Sequence, residues 1–317
     1  MSVELGFEAP LKDLNKQIKE LKELETEGKV NFKTEVSRLE KKKATMLSDI
    51  YSNLSAWEIT QVARHPDRPL FLDYVKYICD DFIELHGDRS FGDDQAIVCG
   101  ICRLADEKVV VIGHQRGRET KEKLKRNFGM ARPEGYRKAL RVMKMAEKFN
   151  RPIITFIDTV GAYPGLDAEE RGQGEAIARN ILEMAVIKTP IIAIVIGEGG
   201  SGGALALGVA DRVMMLTNSI YSVISPEGCA SILWKDAGKA SEAAEALKIT
   251  ATDLLNFGLI DNIIEEPVGG AHRDHTLMAE RLKESVLTEL KSLKKLSHKK
   301  LIDQRHEKFI KMGATFE

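Results

Sequence analysis

Residues 191–208 read IIAIVIGEGGSGGALALG, an apolar run that passes through a cluster of glycines into a second apolar segment. Six consecutive apolar residues, Ile191–Ile196, predict a strand buried on both faces, and Gly202–Val209 predicts the helix that follows. A tight turn packed on a neighbour needs one or two glycines, whereas this stretch has six, at 197, 199, 200, 202, 203 and 208. Such a turn leaves the backbone bare, so that amides at a helix N-terminus can face something negative. Three chemistries fit it. Gly197-Glu198-Gly199-Gly200-Ser201-Gly202 matches the G-x-G-x-x-G of dinucleotide sites, but the next strand, Arg212–Leu216, leads into Thr217-Asn218 and not to the acid that would hold a ribose. Gly199-Gly200-Ser201-Gly202-Gly203 matches the G-x-S-x-G elbow of serine hydrolases, with Asp261 and His272 following in the hydrolase order. Against that, a serine among glycines can be there for its small size, and His272 lies in the loop Gly269-Gly270-Ala271-His272 with no orienting acid beside it. The third chemistry is an oxyanion hole of backbone N–H groups, which needs glycine and no side chain at all.

A second loop favours the third. Strand Ile153–Ile157 ends in Asp158-Thr159-Val160-Gly161-Ala162-Tyr163-Pro164-Gly165, again with glycine directly after a strand, and Ala168-Glu169-Glu170-Arg171-Gly172-Gln173 opens the next helix. Two such turns on successive strands can aim two amides at one oxygen, at the roughly 2.7–3.1 Å that a developing enolate requires. Glu169, Glu170 and Arg171 read equally well as a solvated first helical turn with acids placed favourably for the helix dipole.

Outward from these turns the chain alternates between strands and helices, as an α/β domain does. Further strands are expected at Ala96–Ile101, Val109–Gly113, Tyr221–Ile224 and Ile260–Ile264, and helices at Pro133–Phe149 and Glu169–Ile187. Residues 1–50 differ in character, with ten basic and ten acidic side chains and a narrow stripe of Leu11, Leu14, Ile18, Leu21 and Leu24. A second stripe, Val36, Leu39, Met46, Leu47 and Ile50, follows Gly28, which predicts a helical hairpin with its stripe on the main body or on a partner. Thr276–Lys311 reads as a further helical, charge-rich segment. The expected organisation is an N-terminal helical extension (1–55), an α/β core (56–275) and a C-terminal helical segment (276–317).

Composition narrows the classes. The 317 residues carry a net charge of −1 with 43% hydrophobic content, which suits a globular protein and argues against disorder. The longest apolar stretch is strand-sized, far short of the ~20 residues of a membrane span. The N-terminus has acids where a signal peptide would be basic, so a cytoplasmic protein is expected. Four scattered cysteines suit a reducing compartment. Cys99-Gly100-Ile101-Cys102 would need a second pair to hold zinc, and its odd spacing in a strand sends the thiols to opposite faces, so buried strand thiols are expected. His114 to Lys148 carries twelve basic and four acidic residues. An RNA-binding regulatory subunit is one reading, but only Phe128 and Tyr136 are available for stacking, which favours a solvated face or an anion site. His65 and His114 are taken as hydrogen-bonded structural residues.

The two loops, together with Tyr221-Ser222-Val223-Ile224-Ser225-Pro226-Glu227-Gly228-Cys229-Ala230, resemble the carboxyltransferase α subunit of bacterial acetyl-CoA carboxylase. Ala63-Arg64-His65-Pro66, Leu72-Asp73-Tyr74, Gly87-Asp88-Arg89, Asn127-Phe128-Gly129-Met130 and Gly269-Gly270-Ala271-His272 extend the match nearly end to end. Each motif alone is modest, but their order and completeness are specific. The resemblance implies a crotonase-like (ClpP/crotonase) fold, a spiral of β-β-α units forming two roughly perpendicular sheets. It implies transfer of a carboxyl group from carboxybiotin, borne by a biotin carboxyl carrier protein, to acetyl-CoA, giving malonyl-CoA in the first committed step of fatty acid synthesis. A β subunit bearing a zinc ribbon would complete an α2β2 heterotetramer, with no metal in this chain. Carried over, the oxyanion donors fall on Gly202 and Gly203, with Gly161 and Ala162 contributing from the facing loop, and Gly199, Gly200 and Tyr163 on the carboxybiotin side. Many relatives have Pro or Lys where this chain has Val160, so this loop is less preset here.

Overall fold

The computed structural model describes residues 5–26 and 32–313. Among these residues, strands β1 (Asp80–Glu84), β2 (Ile97–Leu104), β3 (Glu107–His114), β4 (Ile153–Thr159), β5 (Ile191–Gly200), β6 (Arg212–Leu216), β7 (Ile220–Ser222) and β8 (Asn262–Ile264) join one hydrogen-bonded sheet. Its order is β1-β2-β3-β4-β5-β6-β8, with β7 branching from β5. The β1–β2–β3 ladders are antiparallel and those from β3 through β8 are parallel. Helix Pro133–Lys148 connects β3 to β4, and helix Gln173–Val186 connects β4 to β5.

Every residue of β4 and β5 is buried, as parallel strands covered on both faces must be. Alternation then sorts their side chains. Ile153, Ile157, Ile191, Ala193 and Val195 enter a core shared with Val142 and Met143 of one helix and Met184 of the next. Ile154, Phe156, Ile192, Ile194 and Ile196 enter a second core with Phe71, Tyr74, Met278, Leu282 and Val286. Helix His275–Leu293 thus covers the opposite face of the sheet from helix Pro133–Lys148. Cys99 and Cys102 fall into the first and second core respectively, on opposite faces as their spacing requires.

The crotonase-like architecture is carried by one continuous set of ladders. β5 is ten residues long; it pairs β6 through Ile192–Val195 and β7 through Glu198–Gly200, so β7 branches from the C-terminal end of β5. The expected helices also break more often than periodicity suggested. Glu169–Ile187 becomes Leu166–Glu170 and Gln173–Val186 around Gly172, whose φ is +81°. Thr276–Lys311 becomes His275–Leu293 and His298–Lys311, the second capped by Ser297. The helix after the glycine turn is only Ser201–Leu205.

In the N-terminal hairpin, helix Ala9–Thr26 lies along helix Lys33–Tyr51, and Gly28 falls outside the described residues. Much of its stripe is buried within the hairpin, where Leu14, Ile18, Val36 and Leu39 form a cluster with Leu21, Phe32 and Met46 packed against it, while Leu47 lies beside Gly269 of the main body and Leu24 is exposed. An ion pair from Glu8 to Arg273 ties this unit to the loop after β8. No helix among the described residues is long and apolar enough to cross a membrane.

Candidate active site

β4 and β5 are adjacent and parallel, so their C-terminal turns emerge side by side. They touch through backbone. A Cβ on Gly203 would lie 2.6 Å from Gly161 C and 2.7 Å from Ala162 N, and one on Gly200 would lie 2.2 Å from Val160 O. Only glycine permits this approach. Gly161 has a φ of +155°, a region other residues rarely adopt. Gly199 and Gly200 are buried as the last residues of β5, the first against the Tyr221 ring, while Gly202 is half-exposed and Gly203 buried. Tyr163 is half-buried; its amide donates to Ala131 O, and Arg132 lies 4.4 Å over its ring.

Gly202 and Gly203 stand in the first turn of a helix, where amides have no intrahelical acceptor. Among the described residues neither donates to a backbone carbonyl outside the helix. In the facing loop the Gly161 amide is already given to Thr159 Oγ1 at 3.2 Å, so the Ala162 amide is the available donor there. The structure thus sets the Gly203 backbone directly against that of Gly161 and Ala162, with Gly202 one residue before it in the helix.

Charged residues brace these turns. Arg64 grips Glu198 through Nε (3.0 Å) and Nη2 (2.6 Å) and reaches Glu227 at 2.5 Å. Asp158, the residue before Thr159, accepts from the Glu198 amide at 3.1 Å and from Arg116 at 3.2 Å. One network therefore links the tips of β4 and β5 to helices Ala56–Ala63 and Pro226–Trp234. All five residues but Arg116 sit in the quoted motifs, yet their roles are not legible there, because pairs separated by 134 or 163 positions carry no local signal.

The hydrolase set does not assemble. Ser201 is exposed in a left-handed conformation (φ +55°), strained as an elbow serine would be. Asp261, however, accepts from the Val213 amide and from Lys308, and His272 stacks on His65 with ring centroids 4.0 Å apart. Burial and the neighbouring His65 push His272 down to about 3. The basic stretch 114–148 is also changed by the fold. Arg116, Arg118, Arg137, Lys138 and Lys144 pair with Asp158, Asp73, Asp88, Asp93 and Glu183, acids that lie outside the stretch and that a local count misses. Burial pushes the Cys99 thiol up to about 12, as befits an inert strand cysteine.

His114 departs from expectation. It is fully buried at the end of β3, and neither ring nitrogen completes a hydrogen bond of normal geometry. Burial pushes it down to about 3 from the ordinary 6.5, with the backbone of Phe156 and Gly203 as the opposing polar influence. The fold therefore favours the neutral ring, a contribution that is present above pH 6.5 and lost as pH falls from there toward 3. Across that window His114→Phe flattens the dependence of unfolding free energy on pH by about 1.4 kcal/mol per unit. Urea titrations of both proteins between pH 7 and 4 measure this, and identical slopes would contradict it.

Solved structures share this architecture. The transcarboxylase 12S hexamer core matches with a TM-score of 0.54 at 20% identity, over 67% of this chain and 41% of that one. The β subunit of Pseudomonas aeruginosa geranyl-CoA carboxylase matches with a TM-score of 0.55 at 19% identity, over 75% and 45%. What they share with this chain is the crotonase-like fold. A family profile described as acetyl co-enzyme A carboxylase carboxyltransferase-like matches residues 4–313. The acetyl-coenzyme A carboxylase carboxyl transferase subunit alpha of Geobacter metallireducens is 60% identical over 314 residues, 99% of this chain and 98% of that one. Its counterpart from Pseudomonas aeruginosa strain LESB58 is 58% identical over 310 residues, 98% of each. The chain belongs to this family, as an α subunit of the biotin-dependent carboxyltransferase of acetyl-CoA carboxylase, and its place as an α subunit implies a partner subunit.

Proposed function

We propose that the amides of Gly202, Gly203 and Ala162 form the oxyanion hole that this chain contributes to carboxyl transfer onto acetyl-CoA. The contact between the Gly203 and Gly161–Ala162 backbones supports this reading, because two turns from neighbouring strands meet there through backbone and leave no room for a side chain between them. The site suits a biotin head group: small residues, bare N–H groups and the half-buried Tyr163 at its edge. Carboxybiotin, brought by a biotin carboxyl carrier protein, would supply the carboxyl group and a ring nitrogen basic enough to accept the acetyl methyl proton. The amides hold the ureido oxygen as negative charge builds on it. They are fixed in place beforehand, so no reorganisation is needed at that moment. Gly161 supplies the backbone path, and Gly199 and Gly200 the close packing behind the donors.

A second hole for the acetyl-CoA enolate is assigned to a β subunit bearing the zinc ribbon, in an α2β2 assembly in the cytoplasm. Residues 1–55 and 276–317 are assigned to helical segments outside the catalytic core 56–275. A serine-reactive phosphonate probe tests the assignment of chemistry to backbone. The chain assembled with its partner converts acetyl-CoA to malonyl-CoA and is not labelled at Ser201. Labelling of Ser201 with loss of turnover would place the chemistry on the side chain.

A further inference from the structure

The glycine turn is too short to hold itself. Helix Ser201–Leu205 has five residues, and a first helical turn orders more backbone than its own hydrogen bonds repay. Its N-cap is Gly200, which offers no capping side chain, and the carbonyls past its C-terminal end need partners from elsewhere. Two buried side chains provide them. Thr155 Oγ1, on β4, donates to Leu207 O at 2.7 Å, and Asn180 Nδ2, on helix Gln173–Val186, donates to Ala206 O at 3.2 Å. Both residues are fully buried beside the first core, where an unbonded polar group is costly. Asn180 Oδ1 finds no partner, so this side chain is kept polar for its amide alone.

β4 fastens the facing turn as well. Four residues on from Thr155, the Thr159 hydroxyl donates to Gly161 O at 2.8 Å. One fully buried strand therefore holds the Gly161–Ala162 turn at its tip and the end of the Gly202–Gly203 helix behind it. We propose that Thr155, assisted by Asn180, is a positioning residue: through Leu207 O its hydroxyl sets how far the Gly202 and Gly203 amides stand from the Ala162 amide. The inference rests on the reading of those amides as oxyanion donors. Thr155 itself touches no substrate.

Thr155→Val keeps the branched shape and removes the donor, whereas Thr155→Ser keeps the donor. In the chain assembled with its partner, Thr155→Val lowers kcat by roughly ten- to a hundredfold, the scale set by small misplacement of reacting groups. KM for acetyl-CoA stays within about twofold, since the lost interaction acts in the transition state. Thr155→Ser restores most of kcat. Asn180→Leu shows the same split and decides the matter should Thr155→Val fail to fold by circular dichroism. Gly203→Val, run alongside, separates two failures. If it abolishes turnover while Thr155→Val and Asn180→Leu keep kcat within about twofold of wild type, the positioning role is wrong and the oxyanion reading stands. If Gly203→Val is itself active, the oxyanion reading fails first. A drop in kcat that Thr155→Ser does not restore also overturns the proposal.

Discussion

Gly203→Val abolishes carboxyl transfer by the assembled enzyme, and Ser201→Ala retains most of it. The atoms that a Cβ at 203 would strike are Gly161 C, Ala162 N and Gly161 O, at 2.6, 2.7 and 3.0 Å. All three are backbone, so none can rotate away as a side chain would. The two turns must part, and valine's further methyls widen the gap. Loss of one oxyanion donor costs about 100- to 1,000-fold in rate, and separating the turns removes the shared site altogether. Ser201 has an exposed hydroxyl with neither His272 nor Asp261 bonded to it. Alanine is no more strained there than serine at φ +55°. Malonyl-CoA formation by each variant, with folding checked by circular dichroism, measures both effects. A fatal serine change beside a mild glycine change would favour the hydrolase reading.

Asp211→Ala has the largest expected effect on stability, about 3–5 kcal/mol, the range for removing one partner of a buried ion pair. Its partner Arg305 is fully buried, bonded to Asp211 Oδ1 at 2.9 Å and Oδ2 at 2.8 Å. The guanidinium also donates to the carbonyls of Met184, Ile187 and Thr189, so it has no route to water. Without the carboxylate the cation stays buried with carbonyls alone. The Ile191 amide, bonded to Asp211 Oδ2 at 2.7 Å, loses its acceptor at the same time. Helix His298–Lys311, which carries Arg305, should detach first, exposing the C-terminus to limited proteolysis. A shift in denaturation midpoint corresponding to less than about 1 kcal/mol, the cost of an exposed pair, would show that the pair is effectively solvated.

The interior of the sheet was legible in the sequence because it is written in local patterns. Ile153–Ile157, apolar but for Thr155, and the apolar run Ile191–Ile196 each precede a glycine-containing turn, and they became β4 and β5. What eluded the sequence depends on distant partners. β1, DDFIE, has too much charge to read as a strand and exists because β2 pairs with it. Helix Ala56–Ala63 is announced locally by the Ser55 and Glu58 capping box, a signal weaker than the apolar runs because it spans only four residues. At the site, the glycines pointed to bare backbone, but which amides remain available depended on the Thr159 hydroxyl taking that of Gly161. The brace of Arg64, Asp158, Glu198 and Glu227 was invisible for the same reason: its members meet only after folding.

On this reading the chain supplies one of two oxyanion holes and works only when a partner supplies the other. Malonyl-CoA formation, measured with the purified chain alone and again after the β subunit is added, tests it most directly. Near-zero turnover alone and full turnover with the partner is the predicted result; full turnover by this chain alone would contradict it.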